Sequence, residues 1–226
     1  MKVLFVATCD FLHRQNDGGT QYNFQNYRML RHLYGEENVS VLCICAGNPD
    51  PMPHVFFLPD NTRPLNRLLS CVTERVYYDR ATEKKALSYF DSQNFDLVVV
   101  DSLDGRWVRL FKRRKPGLKV LLIPHNLEKQ YYLKRVKEEG KHLLPLWWGV
   151  VRNEREVVRY ADWMSALNQR DQRAFEETYH RTPDFILPIS FADHFDQTRA
   201  DQDYGDPAAK TLLFVGSLFS PNLDGV

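Results

Sequence analysis

Four polar residues that follow two apolar segments are the residues of this chain best placed to do chemistry. Asp101 and Ser102 come directly after one run of Val and Leu residues, and His125 and Asn126 come after the next such run. Runs this continuously apolar are typical of strands buried on both faces of a parallel sheet. Such sheets bind ligands beyond the carboxyl ends of their strands, so these carboxylate, hydroxyl, imidazole and amide groups are candidates for ligand binding.

The chain between the two pairs indicates a βαβ unit. The segment 103–115 lies between the apolar runs, and in it Trp107, Leu110 and Phe111 recur at the i, i+3, i+4 spacing of an amphipathic helix. A strand, a crossover helix and a parallel strand bring both carboxyl ends to one edge of the sheet. We therefore expect the Asp101 and His125 loops to be neighbours.

A second chemical signal is the pair Gly18-Gly19, between a first strand at 2–7 and a helical pattern over 20–33. Glycine lets the backbone approach a ligand closely, and the free N–H groups at a helix start attract anions such as phosphate. The spacing matches neither a dinucleotide fingerprint nor a P-loop, which argues against ATPases and ordinary NAD-dependent dehydrogenases. A flexible turn without a ligand stays open on local grounds.

The alternation of apolar, strand-like runs with helical stretches along the rest of the chain predicts the α/β fold class, with a doubly wound, mainly parallel sheet.

The tryptophan-rich segment 143–151 is predicted to be a buried turn, with contact to lipid as the alternative. Asn168 is predicted to cap a helix, with Asp171 reaching back to it. Further strands are expected at 39–46, 54–58, 163–167 and 184–189, and further helices over 65–92 in two pieces, 127–139 and 150–160.

The end of the chain predicts three parts: a domain at 1–190, a polar linker at 191–209 and the start of a second domain at 210–226. Residues 211–218 have the pattern of a buried strand. A buried parallel strand is normally followed by a helix, and the given sequence contains no helical pattern after residue 218. We therefore expect this chain to be the front part of a longer protein.

Composition excludes several classes of protein. With 30 Lys and Arg against 29 Asp and Glu, the formal charge of +1 argues against nucleic acid as the main partner. Four scattered cysteines suit a reducing compartment and give neither a disulfide framework nor a zinc site. The first residues are typical of a core strand rather than a signal peptide, and no apolar run is long enough to cross a membrane. A cytoplasmic location is expected.

A basic cluster at residues 112–115 and the pair Trp147 and Trp148 suggest one further partner. Basic residues together with interfacial aromatic residues can hold a protein on an anionic lipid surface. The expectation is peripheral contact with the inner face of the membrane. The simpler interpretation is a solvated helix end, where cations also suit the helix dipole.

The order of these motifs resembles the amino-terminal half of a GT-B glycosyltransferase of the glycosyltransferase family 4 type. The resemblance covers essentially the whole chain and rests on order and spacing. The motifs are Gly18-Gly19 after the first strand, Asp96-Leu-Val-Val-Val-Asp101, Pro124-His125-Asn126, Arg159-Tyr-Ala-Asp162, Asn168-x-x-Asp171, Leu213-Phe-Val-Gly216-Ser and Pro221-Asn222-x-Asp224-Gly225.

The resemblance implies two Rossmann-like domains facing a cleft, with the acceptor bound mainly by the first domain and the nucleotide-sugar donor mainly by the second. It implies transfer with retention, no metal ion and no cofactor beside the donor substrate. His125 would be the catalytic residue, its neutral imidazole bonding a sugar hydroxyl and steadying the charge that builds on the ring. The glycine loop would approach the donor diphosphate. The substrate-binding residues would be Gly18, Gly19, Asp101, Ser102, Asn126 and Gly216.

The expected function is sugar transfer to a saccharide, lipid-linked or small-molecule acceptor, as in polysaccharide biosynthesis. The chain alone should be inactive, because the family's donor site, with its paired glutamates, would lie beyond Val226. Two alternatives remain: a GT-B-like nucleotide-sugar epimerase, and a non-catalytic α/β binding domain in which His125 is structural.

Overall fold

The computed structural model describes residues 1–47, 49–60, 63–101 and 103–190, with the backbone alone for Pro64, Asn66 and Arg67. The chain divides into two compact units, Met1–Ile189 and Ser190–Val226. Of the second unit, only Ser190 belongs to the described residues. The predicted linker and the predicted strand at 211–218 lie outside them, so the domain boundaries stay a prediction.

Seven strands of the described part of the chain form the sheet at the centre of the first unit. Every neighbouring pair of strands is parallel, and the order is β3-β2-β1-β4-β5-β6-β7. The predicted fold class, a doubly wound α/β sheet of the Rossmann-like kind, is confirmed. The strands are β1 Val3–Ala7, β2 Val39–Cys45, β3 Val55–Pro59, β4 Leu97–Val100, β5 Lys119–Leu122, β6 Trp163–Ala166 and β7 Phe185–Ile186.

The strand order reverses at β1, which lies between β2 and β4. The loops that leave β1 and β4 therefore diverge, and in open α/β sheets the crevice at such a point is where ligands bind. The register places Phe5 beside Val99, and Val99 beside Leu121. The carboxyl ends of β1, β4 and β5 consequently lie side by side.

Among the described residues, seven α-helices connect the strands, and the helical region predicted at 65–92 forms two helices, as expected. One prediction was wrong: residues 144–151 are not a buried turn but the first half of a helix. Pro145 lies in its first turn, where the missing N–H is not needed for the helical ladder. The helices are α1 Gly18–Tyr34, α2 Pro64–Thr73, α3 Arg80–Ser92, α4 Gly105–Arg114, α5 Glu128–Glu139, α6 Leu144–Tyr160 and α7 Gln169–Tyr179.

The helices cover both faces of the sheet, because alternate residues of each strand point to opposite faces. Helix α1 packs Tyr22, Tyr27 and Leu30 against the face that includes Val3 and Phe5. On the other face, residues of α3, α4, α6 and α7 pack against Leu4, Val6 and their neighbours. Cys43 and Cys45 are buried on the α1 face.

Helices α4 and α6 approach each other unusually closely at Gly105. A Cβ atom on Gly105 would lie 2.0 Å from the carbonyl oxygen of Asn153 and 2.9 Å from the Cβ of Glu156. The Asn153 side chain secures the crossing, since its Oδ1 accepts the Arg106 N–H at 3.0 Å and its Nδ2 donates to the Glu74 carbonyl at 2.8 Å. This packing fixes the start of α4, just after the Asp101 loop.

No helix in the described part of the chain is both long enough and apolar enough to cross a membrane.

The Gly105 contact gives a test of the packing. We expect Gly105→Ala to lower the free energy of unfolding by about 3 kcal/mol, because the new methyl group meets backbone that cannot move aside cheaply. Gly117→Ala is the matched control, since a Cβ there meets nothing within 4 Å. Urea unfolding followed by circular dichroism measures both, and equal stability of the two variants would contradict the helix crossing.

Candidate functional site

The loops after β4 and β5 meet, as the sequence predicts. Asp101 follows β4 directly and His125 lies three residues after β5. The Nδ1 atom of His125 is 2.5 Å from the Oδ2 atom of Asp101. A short contact between imidazole and carboxylate is a charge-assisted hydrogen bond, in which the ring N–H donates. Asp101 therefore fixes the orientation of the ring.

Helix α1 supplies the other side of the His125 environment. The Oδ1 atom of Asn23 lies 3.2 Å from the His125 Nε2 atom. Tyr22 packs its ring edge-on against the imidazole, with centroids 5.2 Å apart. The His125 side chain is only 16% exposed. Both ring nitrogens thus face oxygen acceptors, an arrangement that a protonated imidazolium satisfies by donating from each nitrogen.

The shift in the pKa of His125 also favours the protonated imidazolium. Burial lowers the pKa of His125, but the charge and hydrogen bond of Asp101, helped by Glu128 and Asp17, outweigh burial and raise the pKa above its ordinary value. At neutral pH the ring therefore holds a proton more readily than a histidine in water does. The neutral imidazole expected from the sequence stays a prediction, and this environment favours the protonated ring.

Three buried acids lie behind the pair. Burial, and after it the charge of Asp101, raises the pKa of Asp104 well above its usual range. Burial also raises the pKa of Glu128 to about 8 and that of Glu154 to about 7, with Asp101 adding to both. Glu154 accepts the backbone N–H groups of Glu128 and Lys129, at 2.7 and 2.9 Å, which ties α6 to the start of α5.

Gly18 and Gly19 form the first turn of α1, at the same edge of the sheet as His125. Asp17 caps this helix: its Oδ1 accepts the Thr20 N–H at 2.9 Å, in a capping box with the Thr20 hydroxyl. A carboxylate thus already uses part of the positive helix end that was expected to attract an anion. A Cβ on Gly18 would meet nothing within 4 Å, so the space beside this turn is open.

A cavity of about 230 Å³ lies beside this turn, at the carboxyl ends of β1 and β2. It connects to the His125 environment through Asn23, whose Nδ2 donates to the Cys9 sulfur at 3.4 Å. Carboxylates are good acceptors for hydroxyl groups, so this lining suits a polyhydroxyl ligand. The lining residues are Thr8, Cys9, Asp10, Arg14, Asn16, Asp17, Thr20, Cys45, Ala46 and Asp60.

The other predicted site residues have different outcomes. Asn126 is exposed next to His125, and its side chain bonds Glu128. Ser102 and Gly216 lie outside the described residues, so their predicted roles stay predictions. Asn168 caps α7, since its Oδ1 accepts the Asp171 N–H at 2.9 Å. Asp171 does reach back, but to the Asn168 side-chain amide rather than to the backbone.

Sequence reasoning found Asp101 but missed the other partners of His125, Asn23 and Tyr22, and it missed the buried acids. The sequence does contain a signal for two of these residues, Asn23 and Glu154. Asn23 falls on the same helical stripe as Tyr27 and Leu30, and Glu154 falls between Val150 and Val157 on the buried stripe of α6. A polar residue at a core-facing position must find a partner there, and for that reason it often marks a site.

Within the described ranges, no group of three or more His, Cys, Asp and Glu residues is arranged to hold a metal ion. The expectation that no metal is needed stays a prediction.

The sequence matches no protein-family model and no curated protein. Among solved structures, the chain is similar to Medicago truncatula UGT71G1 complexed with UDP-glucose, with 9% identity and a TM-score of 0.47 over 81% of this chain and 50% of that one. It is similar to a UGT transferase from Siraitia grosvenorii in complex with UDP, with 13% identity and a TM-score of 0.44 over 88% of this chain and 52% of that one.

A third similar structure is Phytolacca americana UGT2 complexed with UDP-2fluoro-glucose and pterostilbene, with 10% identity and a TM-score of 0.44 over 88% of this chain and 56% of that one. The chain therefore spans about half the length of these structures. Identities and scores this low do not assign a function. The fold class rests on the sheet topology of the chain itself.

The buried acids predict how stability depends on pH. The folded-state pKa of Glu128 is about 8, against an ordinary value of 4.5, so the folded chain binds more protons than the unfolded chain between these values. Stability therefore falls as pH rises from 5 to 8, by up to about 1.4 kcal/mol per pH unit for such a group. Raised pKa values at Glu154 and His125 act in the same direction.

We expect Glu128→Gln to make this fall less steep, because one of the titrating groups is removed. The measurement is urea unfolding at several pH values between 5 and 8. Glu138→Gln, on the exposed side of the same helix, is the control and should keep the wild-type slope. If Glu128→Gln also keeps that slope, the description of Glu128 is wrong.

Proposed function

We propose that this chain is the acceptor-side half of a GT-B, family 4-like glycosyltransferase, which moves a sugar from a nucleotide-sugar to a saccharide, lipid-linked or small-molecule acceptor with retention. The observation that carries the proposal is the Asp101–His125 pair, which lies beside the point where the strand order reverses. The carboxylate-lined cavity of about 230 Å³ beside α1 supports it.

In this proposal His125 acts as a hydrogen-bond donor. Sugar transfer breaks the bond between the anomeric carbon and the diphosphate, so charge develops on the sugar ring and on the leaving oxygen. An imidazolium held by Asp101 can bond a sugar hydroxyl or the leaving group through Nε2. That nitrogen contacts the Asn23 side-chain oxygen, so substrate binding would exchange one acceptor for another. Asp101 keeps the ring charged and oriented throughout.

The cavity beside α1 fits the acceptor better than the diphosphate. Asp10, Asp17 and Asp60 are acceptors for hydroxyl groups and would repel an anion, although Arg14 moderates that effect. The donor would then be held mainly by a second domain, with Gly18 and Gly19 near its diphosphate. We propose that transfer needs such a domain and that the chain alone is inactive. Polysaccharide biosynthesis at the cytoplasmic side of a membrane fits this assignment.

The rival assignment, a non-catalytic α/β binding domain, has one observation in its favour. His125 is mostly buried, and both of its ring nitrogens already have partners. A structural role for the histidine would explain those contacts without chemistry. Activity measurements on site variants separate the two assignments.

We expect His125→Ala to lower kcat by about a hundredfold or more in a protein that contains both proposed domains, because a positioned charged donor is lost at the transition state. Asp101→Asn should lower kcat less and shift the pH profile to lower pH, since the histidine then loses its proton more easily. The assay counts both hydrolysis and transfer for a panel of nucleotide-sugars. His142→Ala, on an exposed turn, is the control. An unchanged rate for folded His125→Ala would favour the binding domain.

Gly18→Ala tests whether the Gly18-Gly19 turn approaches the diphosphate of the donor. The chain should fold as well as wild type or gain up to about 1 kcal/mol, because the position is open and helical and alanine favours a helix. If the backbone of this turn approaches the diphosphate, the added methyl group should raise KM for the donor about tenfold. Gly117→Ala, in an open turn before β5, is the control and should leave KM for the donor unchanged. An unchanged KM in Gly18→Ala would mean a turn without a ligand.

A further inference from the structure

A second cavity, of about 310 Å³, lies between the last turns of α6 and the segment that joins α7 to β7. Three of its lining residues are arginines, and none of the described lining residues is acidic. No residue lines both this cavity and the one beside α1. We call it the arginine cavity. Its lining residues are Arg155, Val158, Arg159, Tyr179 and Arg181.

The arginine cavity lies toward the amino ends of β6 and β7. Arg155 and Arg159 belong to the part of α6 that leads to β6, and Arg181 belongs to the segment before β7. Helices of a parallel α/β sheet run back from the carboxyl edge to the amino edge, so their last turns lie near the amino ends of the next strands. His125, in contrast, follows the carboxyl end of β5. A ligand in the arginine cavity would therefore be distinct from one at the candidate site.

The two arginines of α6 are exposed and have no carboxylate partner in the described part of the chain. The acids that flank Arg155 in sequence are engaged elsewhere. Glu154 accepts backbone N–H groups at the start of α5, and Glu156 accepts from Arg109 at 2.9 Å. Several other arginines of the same domain do pair with a glutamate, namely Arg75, Arg106, Arg109 and Arg135.

The spacing of Arg155 and Arg159 leaves two like charges side by side. Residues four apart on a helix are neighbours, and like charges at that spacing repel each other. Arg159 lies in the last turn of α6, where a cation suits the helix dipole, but Arg155 lies one turn earlier. An anion between the two guanidinium groups would turn the repulsion into attraction.

Arg181 brings a third guanidinium to the cavity, and it is only loosely held. Its Nη2 atom donates to the Asp162 carbonyl at 3.4 Å and to the Asp184 carboxylate at 3.3 Å, which are long for such bonds. Asp184 also accepts the Met164 N–H, at 2.8 Å. The Arg181 Nε atom is buried and has no hydrogen-bond partner among the described residues. A buried donor without a partner is costly, so Arg181 gains from an additional acceptor.

The two uncharged lining residues are fixed by the core. Val158 is 3% exposed, and the Tyr179 hydroxyl donates to Glu154 at 2.5 Å. The arginines thus surround a partly apolar wall that does not need to rearrange. A volume of about 310 Å³ is near the lower end of small-molecule sites, which span roughly 300 to 1,000 Å³. It suits a charged group that carries a small organic part.

We propose that the arginine cavity binds the phosphate group of a small phosphorylated metabolite. A phosphate monoester has close to two negative charges and three strong acceptor oxygens, which match three guanidinium groups better than a carboxylate does. The organic part of the ligand would lie against Tyr179 and Val158. This site uses none of the residues assigned to sugar transfer, so it does not rest on the proposed function.

The test measures the melting temperature of the 226-residue chain with inorganic phosphate, glucose 6-phosphate, sodium acetate or sodium chloride at equal ionic strength. A ligand that binds only the folded chain raises its melting temperature. We expect both phosphate compounds to raise it more than acetate or chloride does, with glucose 6-phosphate acting at the lower concentration.

Variants locate the binding. The double variant Arg155→Gln, Arg159→Gln should bind phosphate at least tenfold more weakly, because two charge-assisted contacts are lost. Arg181→Lys should bind several-fold more weakly, since lysine keeps the charge but lacks the planar fork of donors. Arg173→Gln, at an exposed position of α7 outside the cavity, is the control and should bind like wild type.

The proposal is wrong if chloride or acetate acts as strongly as phosphate, or if phosphate stabilises the double variant as much as wild type. Without phosphate the double variant should be at least as stable as wild type, because two exposed like charges are removed. If it nevertheless fails to fold, the arginine Nε–H signals of wild type decide by NMR: phosphate should shift that of Arg181 and not that of Arg173. No sugar donor is used, so neither result depends on whether the protein transfers sugar.

Discussion

The contact between Asp101 and His125 joins the elements on which the candidate site depends. It connects the loop after β4 to the loop after β5, and through Asn23 it reaches helix α1 on the other side of the point where the strand order reverses. Both side chains are largely out of water, so each needs the other to offset the cost of burial. Without the carboxylate, the buried imidazole would lose the strongest influence that favours its proton.

The surrounding fold makes this pairing possible and sets its chemistry. The close approach of α4 to α6 at Gly105 fixes the segment that carries Asp104, and Glu154 ties α6 to the start of α5 just beyond His125. Burial raises the pKa of Asp104, Glu128 and Glu154, so protons are held near the pair at neutral pH. Groups whose pKa is perturbed in this way cluster at functional sites more often than elsewhere.

The sequence predicts the sheet and the meeting of its loops, because those features follow from local patterns. Two apolar runs around an amphipathic helix imply parallel neighbours, and that geometry brings Asp101 to His125. The partners that come from distant elements, Asn23 and Glu154, depend on packing across the sheet that local patterns do not specify. Helix α2 shows the same limit, since Leu68, Leu69 and Val72 have a spacing that usually marks a buried face but are exposed here.

The most direct test of this account is an NMR titration of the His125 imidazole in the wild-type chain and in Asp101→Asn, with signals assigned by comparison with His125→Gln. The account predicts a pKa above the ordinary value of 6.5 in wild type and a lower one in Asp101→Asn, because the carboxylate stabilises the protonated ring. A His125 that titrates at or below its ordinary value in wild type, or that does not respond to Asp101→Asn, would contradict it.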